Sequence, residues 1–187
     1  SQADVKQAAE VFLSMEKPLD ILLNNAGIMN RERNETIDGL EEVFSVNHLA
    51  YFTFTLLLAE KLKNTNGSRV INVASGAHQF VKDMNFEDLQ SEKTFRPMQV
   101  YGQSKLANIL FTKSLSEKLS SFGVTVNCLH PGFVSTGIGS NNNQGLWPFL
   151  MFLARPFARK TDKGAETSIY LCCSSEVKSR ARALYRT

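Results

Sequence analysis

Short apolar runs alternate with longer stretches of helical periodicity along the chain. Three runs have the length and composition of strands: Leu19 to Leu23, Arg69 to Ala74 and Val124 to Leu129. Apart from Asp20, the first run is apolar, a pattern typical of a strand that is covered on both faces inside a parallel sheet. The alternation of strands and helices predicts βαβ units and an α/β fold with an open parallel sheet.

Four segments carry the apolar spacing of helices. We predict them around Val5 to Leu13, from about Asp38 to Lys63, from about Gln99 to Ser120, and from Lys163 to Cys173. The predicted strands end in Asn25-Ala26-Gly27, Ser75-Gly76 and Pro131-Gly132. Open parallel sheets bind ligands outside the carboxyl ends of their strands. We therefore expect a site at this rim.

Composition narrows the function classes. The chain has 187 residues, 43% of them hydrophobic and 21% charged, and a formal net charge of +3. This charge is too small and too dispersed to indicate nucleic-acid binding. No apolar run is long enough to cross a bilayer. The three cysteines suggest no disulfide framework, and no histidine has metal-ligand spacing with them. We therefore predict no metal site and a reducing, intracellular compartment.

Tyr101 and Lys105 form the pair with the clearest chemical potential. Their i, i+4 spacing places both side chains on one face of the predicted helix. A phenol has a pKa near 10, and a neighbouring ammonium would lower that pKa towards neutrality and make the phenol a usable acid or base. The alternative is a half-buried tyrosine beside a solvated lysine.

Ser75 and Asn47 add to this pair. Ser75 directly follows a predicted strand, where its hydroxyl could donate to a carbonyl or alkoxide oxygen, although a serine here could equally cap a turn. Asn47 interrupts an apolar helical stretch, which suggests that its amide has a specific partner, in a site or in the backbone.

The order and context of these motifs resemble the short-chain dehydrogenase/reductase family. The resemblance covers nearly the whole chain and implies a doubly wound, Rossmann-like sheet. It implies that Tyr101 is the general acid/base, that Ser75 polarises the same substrate oxygen, and that Lys105 lowers the Tyr101 pKa and binds the nicotinamide ribose. It also implies that Asn47 holds a water of the proton relay. By the same resemblance, Tyr101 also binds the cofactor, and the other cofactor-binding residues are Asn25, Ala26, Gly27, Pro131, Gly132, Val134 and Thr136.

Within that family, the chain is most similar to the retinol dehydrogenase group. Ser75 and Tyr101 are 26 residues apart, and the segment between them resembles an insertion of that group. The apolar stretch Trp147 to Leu153 resembles its bulky substrate flap; the alternative is a core helix that covers a loop. This likeness implies a lipophilic, retinoid-like alcohol or carbonyl as substrate and favours NADP(H) over NAD(H). It also implies a location in the cytoplasm or on the cytosolic face of the endoplasmic reticulum, with a peripheral membrane contact through residues 146–157.

Two departures from the family pattern make us expect an incomplete domain over residues 1–187. The family's Gly-rich turn, which binds the cofactor pyrophosphate at a helix N-terminus, is not found in these residues. We therefore expect the first βαβ units to be missing. The C-terminal residues Lys178 to Thr187 are interrupted by basic and polar side chains and predict a poor strand. The alternative function is that of a truncated, cofactor-free product acting at most as an interaction module.

Overall fold

The computed structural model describes residues 1–132, 161–177 and 184–186. These residues form one four-stranded sheet in which every pairing is parallel, in the order β1-β2-β3-β4. The strands are β1 (Ile21–Asn24), β2 (Arg69–Val73), β3 (Thr125–His130) and β4 (Leu184–Arg186). The predicted α/β class and the positions of the first three strands are confirmed.

Helices connect the strands. They are α1 (Gln2–Ser14), α2 (Glu42–Phe44), α3 (Ala50–Leu57), α4 (Ala59–Lys63), α5 (Pro97–Leu119) and α6 (Thr161–Cys173). A π-helical turn covers Ser45–Leu49, and short 3-10 turns cover Gly76–Phe80, Phe86–Asp88, Ser120–Phe122 and Ser175–Val177. Because α2, the π turn, α3 and α4 follow one another with a break at Leu58, the single helix predicted from Asp38 to Lys63 is wrong in its start and in its continuity.

Two apolar clusters cover the two faces of the sheet. One joins Leu22, Val70 and Val126 of the strands to side chains of α1, α4 and α5. The other joins Ile71, Val73 and Leu129 to Leu171 of α6 and to Val177. Because neighbouring strand residues point to opposite faces, Val70 and Ile71 belong to different clusters. Helices on both faces confirm the doubly wound arrangement.

Strand β1 is less covered than its apolar sequence predicts. Leu22 is buried, whereas Ile21 and Leu23 are 41% and 40% exposed. Among the described strands β1 lies at an edge of the sheet, and one of its faces is open. The prediction of burial on both faces is therefore wrong for the described structure.

Strand β4 corrects the prediction of a poor strand near the C-terminus. Leu184 and Tyr185 pair in register with Cys128 and Leu129 of β3. Tyr185 also packs against the apolar cluster beneath α6. Backbone pairing with a buried neighbour thus forms a strand that local composition does not predict.

A chain of buried amides fixes the strands against α5. Asn24 Nδ2 donates to Asn72 Oδ1 at 2.8 Å, and Asn72 Nδ2 donates to Thr112 Oγ1 at 2.9 Å. Buried polar groups that satisfy one another in this way specify a unique arrangement. They set the position of α5 relative to the ends of β1 and β2.

Candidate active site

The functional residues predicted from the sequence meet where β1, β2 and β3 end. Ser75 follows β2, the segment Asn25 to Gly27 follows β1, and Pro131 and Gly132 follow β3. Helix α5 begins at Pro97, a residue that is well tolerated in a first helical turn, and it carries Tyr101 and Lys105 across the same rim.

Ser75 has two polar contacts. Its Oγ accepts a hydrogen bond from the backbone N–H of Ala77 at 3.2 Å, which caps the 3-10 turn that follows β2. The same hydroxyl lowers the pKa of the Tyr101 phenol, as expected for a hydrogen-bond donor to it. Because the Ala77 bond uses an oxygen lone pair, the Ser75 proton is left to donate towards Tyr101 or towards a substrate oxygen.

Lys105 lies buried behind Tyr101. Lys105 is only 2% exposed, and its Nζ donates a hydrogen bond to the carbonyl of Val73 at 3.1 Å. Nζ lies 5.7 Å from the ring centroid of Tyr101 and 5.8 Å from that of Tyr51. Burial lowers the pKa of Lys105 to about 8, so the ammonium form still predominates at neutral pH.

The Tyr101 pKa does not follow the sequence prediction. Burial raises this pKa above its ordinary value, and the hydrogen bond from Ser75 only partly opposes that effect. The expected net lowering of the Tyr101 pKa is therefore not found, because loss of hydration outweighs the effect of Ser75. Tyr101 is accordingly protonated at neutral pH. The stabilisation of the phenolate by Lys105 stays a prediction.

Asn47 lies in the π turn and is fully buried. Its Oδ1 accepts from the backbone N–H of Ile28 at 2.8 Å, while Nδ2 donates to the carbonyl of Ile28 at 2.9 Å and to Ser104 Oγ at 3.0 Å. Both amide hydrogens thus have protein partners. Asn47 fixes the segment after β1 against α5, and its role as a water ligand stays a prediction.

The predicted cofactor segment after β1 packs closely on this group. The carbonyl of Ala26 accepts a hydrogen bond from the Tyr51 hydroxyl at 2.7 Å. A Cβ atom at Gly27 would lie 3.3 Å from Lys105 Nζ and 3.4 Å from Asn47 Oδ1, so the absence of a side chain permits this approach. Asn25 and Ala26 are exposed at the rim.

The third strand end contacts the second through His130. The backbone N–H of Gly76 donates to His130 Nδ1 at 3.0 Å, which links the end of β3 to the residue after Ser75. Gly132 has a φ of 77°, a conformation that favours glycine. Of the predicted residues that flank the nicotinamide, Pro131 and Gly132 lie beside this contact, whereas Val134 and Thr136 fall outside the described residues, as does the predicted flap Trp147 to Leu153.

Comparisons with known proteins agree with this arrangement. The family model for short chain dehydrogenases matches residues 1–147. The chain belongs to the short chain dehydrogenase family.

Similar proteins lie within the same family. Mouse retinol dehydrogenase 12 is 42% identical over 174 residues, which are 93% of this chain and 54% of that protein. Mouse retinol dehydrogenase 14 is 41% identical over 180 residues, which are 95% of this chain and 54% of that protein. The chain spans about half the length of the curated relatives it matches. The resemblance stated from the motifs is thereby confirmed.

A solved structure shows the same fold. The short chain dehydrogenase from Burkholderia cenocepacia, in complex with NADP, has a TM-score of 0.73 and 23% identity. The similarity covers 100% of this chain and 71% of that one. At this identity the likeness is one of fold alone.

Three residues at the site of this short chain dehydrogenase were not among the predicted functional residues. Asn108 joins α5 to the π turn and to the end of β2, His130 links the ends of β2 and β3, and Gly102 lets α5 approach the 3-10 turn after Ser75. Asn108 lies three residues after Lys105 and seven after Tyr101, so helical spacing placed it on the same face. His130 and Gly102 act through backbone contacts that the sequence does not reveal.

The residues at the rim fit a nicotinamide cofactor in one respect that the structure itself shows. The buried ammonium of Lys105 has three hydrogens, and within the described part of the chain one acceptor is found for it, the Val73 carbonyl. Ribose hydroxyls would supply acceptors at this place. Among residues 1–132, 161–177 and 184–186 there is no cluster of side chains suited to a metal ion. The same residues include no helix long and apolar enough to span a bilayer.

Proposed function

We propose that the full-length protein carrying this chain interconverts an alcohol and a carbonyl with a nicotinamide cofactor. The observation that carries the proposal is the meeting of three groups at the strand ends: the Tyr101 phenol, the Ser75 hydroxyl that lowers its pKa, and the buried ammonium of Lys105, 5.7 Å from the Tyr101 ring centroid. The names of the retinol dehydrogenases that the chain resembles support the same reaction class.

Each residue has a distinct part in the proton transfer. The bound cofactor supplies hydride exchange with the substrate carbon. Tyr101, protonated at neutral pH, donates its proton to a carbonyl oxygen during reduction and becomes tyrosinate; during oxidation the tyrosinate takes the proton from the alcohol. The Ser75 hydroxyl, held by the Ala77 N–H, donates a hydrogen bond to the same substrate oxygen. Lys105 binds the ribose hydroxyls and stabilises the tyrosinate that forms when the proton leaves.

The finer assignments follow from the resemblance to retinol dehydrogenases. We infer a lipophilic, retinoid-like substrate and a preference for NADP(H) over NAD(H). Residues 146–157 would cover such a substrate or contact a membrane surface; they lie outside the described residues. Binding of an apolar substrate against these apolar side chains would be favourable, because apolar surface is removed from water.

Steady-state kinetics of the full-length protein test the proposal. Oxidation of NADPH and NADH should be followed with retinal and with short ketones, in the wild type and in Ser75→Ala. We expect Ser75→Ala to lower kcat on the order of 10²-fold, as expected for a lost hydrogen bond to the reacting oxygen. Ser114→Ala, on the exposed face of α5, is the matched control and should leave kcat unchanged. Equal rates for the two variants would contradict the assignment of Ser75.

A further inference from the structure

Asn108 occupies a central position among the groups that hold Lys105. It is fully buried on α5. Its Nδ2 donates to the carbonyl of Asn47 at 2.8 Å and to the carbonyl of Val73 at 3.4 Å. The amide thus joins the π turn, the end of β2 and α5.

The orientation of the Asn108 amide is determined by these contacts. Both partners of Nδ2 are carbonyl oxygens, which can only accept, so the donor nitrogen must face them. Oδ1 then faces Nδ1 of His48 at 3.0 Å and must accept from it. His48 therefore carries its hydrogen on Nδ1, and its ring packs among Phe44, Phe52 and Phe111. Asn108 is held on its far side by a ring that has little room to move.

The carbonyl of Val73 is the point where Asn108 and Lys105 meet. Lys105 Nζ and Asn108 Nδ2 both donate to this oxygen. Asn108 also holds the carbonyl of Asn47, whose side chain fixes the segment beside Gly27 against Lys105. A shift of Asn108 would therefore displace the acceptor of the ammonium and the backbone beside it together.

We propose that Asn108 is a positioning residue that fixes the Lys105 ammonium for cofactor binding and proton transfer by holding the carbonyls of Val73 and Asn47. The inference rests on the proposed function, because it concerns the lysine of that site. Without its amide donors, the buried carbonyl of Asn47 loses its bond from α5, and the carbonyl of Val73 loses the bond from Asn108 that it shares with Lys105. The ammonium then has no fixed direction towards the ribose hydroxyls.

Few ionisable groups surround Lys105, so a new charge should have a clear effect. Tyr101 on its own helix and Tyr51 on α3 face it, β2 presents the Val73 carbonyl, and the segment after β1 presents Gly27. Asn108→Asp removes the two donors and places a carboxylate beside the same carbonyl. That carboxylate should raise the pKa of Lys105 by about one unit or more, because a nearby opposite charge favours the charged form.

The test measures NADPH binding as well as turnover. The dissociation constant for NADPH should be determined across pH 6 to 10 by nicotinamide fluorescence, without substrate, for the full-length wild type, Asn108→Asp and Asn108→Ala. Wild-type affinity should weaken as the pH rises through about 8, where Lys105 loses its proton. In Asn108→Asp, the pH limb over which NADPH affinity weakens should shift upward by about one pH unit or more. In Asn108→Ala the pH limb should not shift upward. In both variants kcat should fall on the order of 10²-fold, the loss expected for a misplaced group.

Two control variants make the outcomes distinguishable. Asn127 lies on the face of β3 opposite to Val126 and α5, so Asn127→Asp buries a carboxylate away from Lys105. It should reduce the melting temperature without shifting the pH limb. Asn108→Ala adds no charge and no volume, and it decides the question if Asn108→Asp does not fold. If Lys105→Met binds NADPH and turns over like the wild type, the proposed function itself is wrong. If Lys105→Met is impaired while both Asn108 variants keep wild-type kcat and an unmoved pH limb, Asn108 has no positioning role.

Discussion

Replacing Gly102 by alanine should move the hydroxyls of Ser75 and Tyr101 apart. Gly102 follows Tyr101 directly, and it faces the 3-10 turn that follows Ser75 directly. A Cβ atom at Gly102 would lie 2.7 Å from the carbonyl oxygen of Ala77 and 3.2 Å from Val81 Cγ1. The nearer of these atoms belongs to the backbone and cannot rotate away, so Gly102→Ala must move α5 and the turn apart.

The effects of Gly102→Ala on stability and on activity should differ in size. Alanine stabilises a helix interior by roughly 0.5–1 kcal/mol relative to glycine, whereas overpacking costs about 1–3 kcal/mol. The net loss of unfolding free energy is then roughly 0–2.5 kcal/mol, which a folded domain tolerates. A displacement of up to about 1 Å between Ser75 and Tyr101 should lower kcat between about tenfold and 10²-fold.

The assay is steady-state turnover of the full-length protein, with thermal denaturation measured on the same samples. Val81→Ala alone and the double variant Gly102→Ala/Val81→Ala serve as controls. Because the Ala77 carbonyl is the closer obstacle, removing the Val81 side chain should not restore kcat. Wild-type kcat in Gly102→Ala, or recovery in the double variant, would refute the reasoning.

Three further predictions follow from the same structure. Gly76→Ala should lower kcat less than Gly102→Ala, because the atom its Cβ would approach, at 3.1 Å, is Nε2 of the His130 side chain rather than backbone; an equal or larger loss would contradict this. Removal of Trp147 to Leu153 should raise KM for long apolar substrates more than for short ketones, and equal effects would mean that the segment does not contact substrate. The 187 residues expressed alone should show neither a cooperative melt near that of a full-length relative nor micromolar NADPH binding. Ile21 and Leu23 remain exposed, and large apolar side chains in water forfeit roughly 1.5–3 kcal/mol each. Either a cooperative melt of that kind or micromolar binding would overturn that expectation.

The sequence predicted the elements whose signal is local. The strands at β1, β2 and β3 and the helix carrying Tyr101 and Lys105 are continuous patterns of apolar periodicity, and such patterns are decided by neighbouring residues. The break in the segment from Asp38 to Lys63 has a different cause. Its π turn places the Asn47 amide where it hydrogen bonds to both the N–H and the carbonyl of Ile28. This contact spans 19 positions, and no local pattern encodes it.

Strand β4 and the Tyr101 pKa show the same limit. Leu184 joins the sheet because β3 offers an unpaired backbone beside it, although the surrounding residues are basic. The Tyr101 pKa depends on how much water burial removes, and the spacing to Lys105 carries no information about that. Side chains that share a helix face could be predicted to meet, whereas the balance of burial and charge among them could not.

The central claim is that Tyr101 exchanges the proton of the reaction, and Tyr101→Phe tests it most directly. The substitution removes the hydroxyl and leaves the ring, so Lys105 and its Val73 acceptor remain in place. In the full-length protein, NADPH binding measured by fluorescence should stay within a few fold of the wild type, while kcat should fall by roughly 10²–10⁴-fold. A kcat above about a hundredth of the wild-type value, with NADPH binding intact, would show that another group transfers the proton.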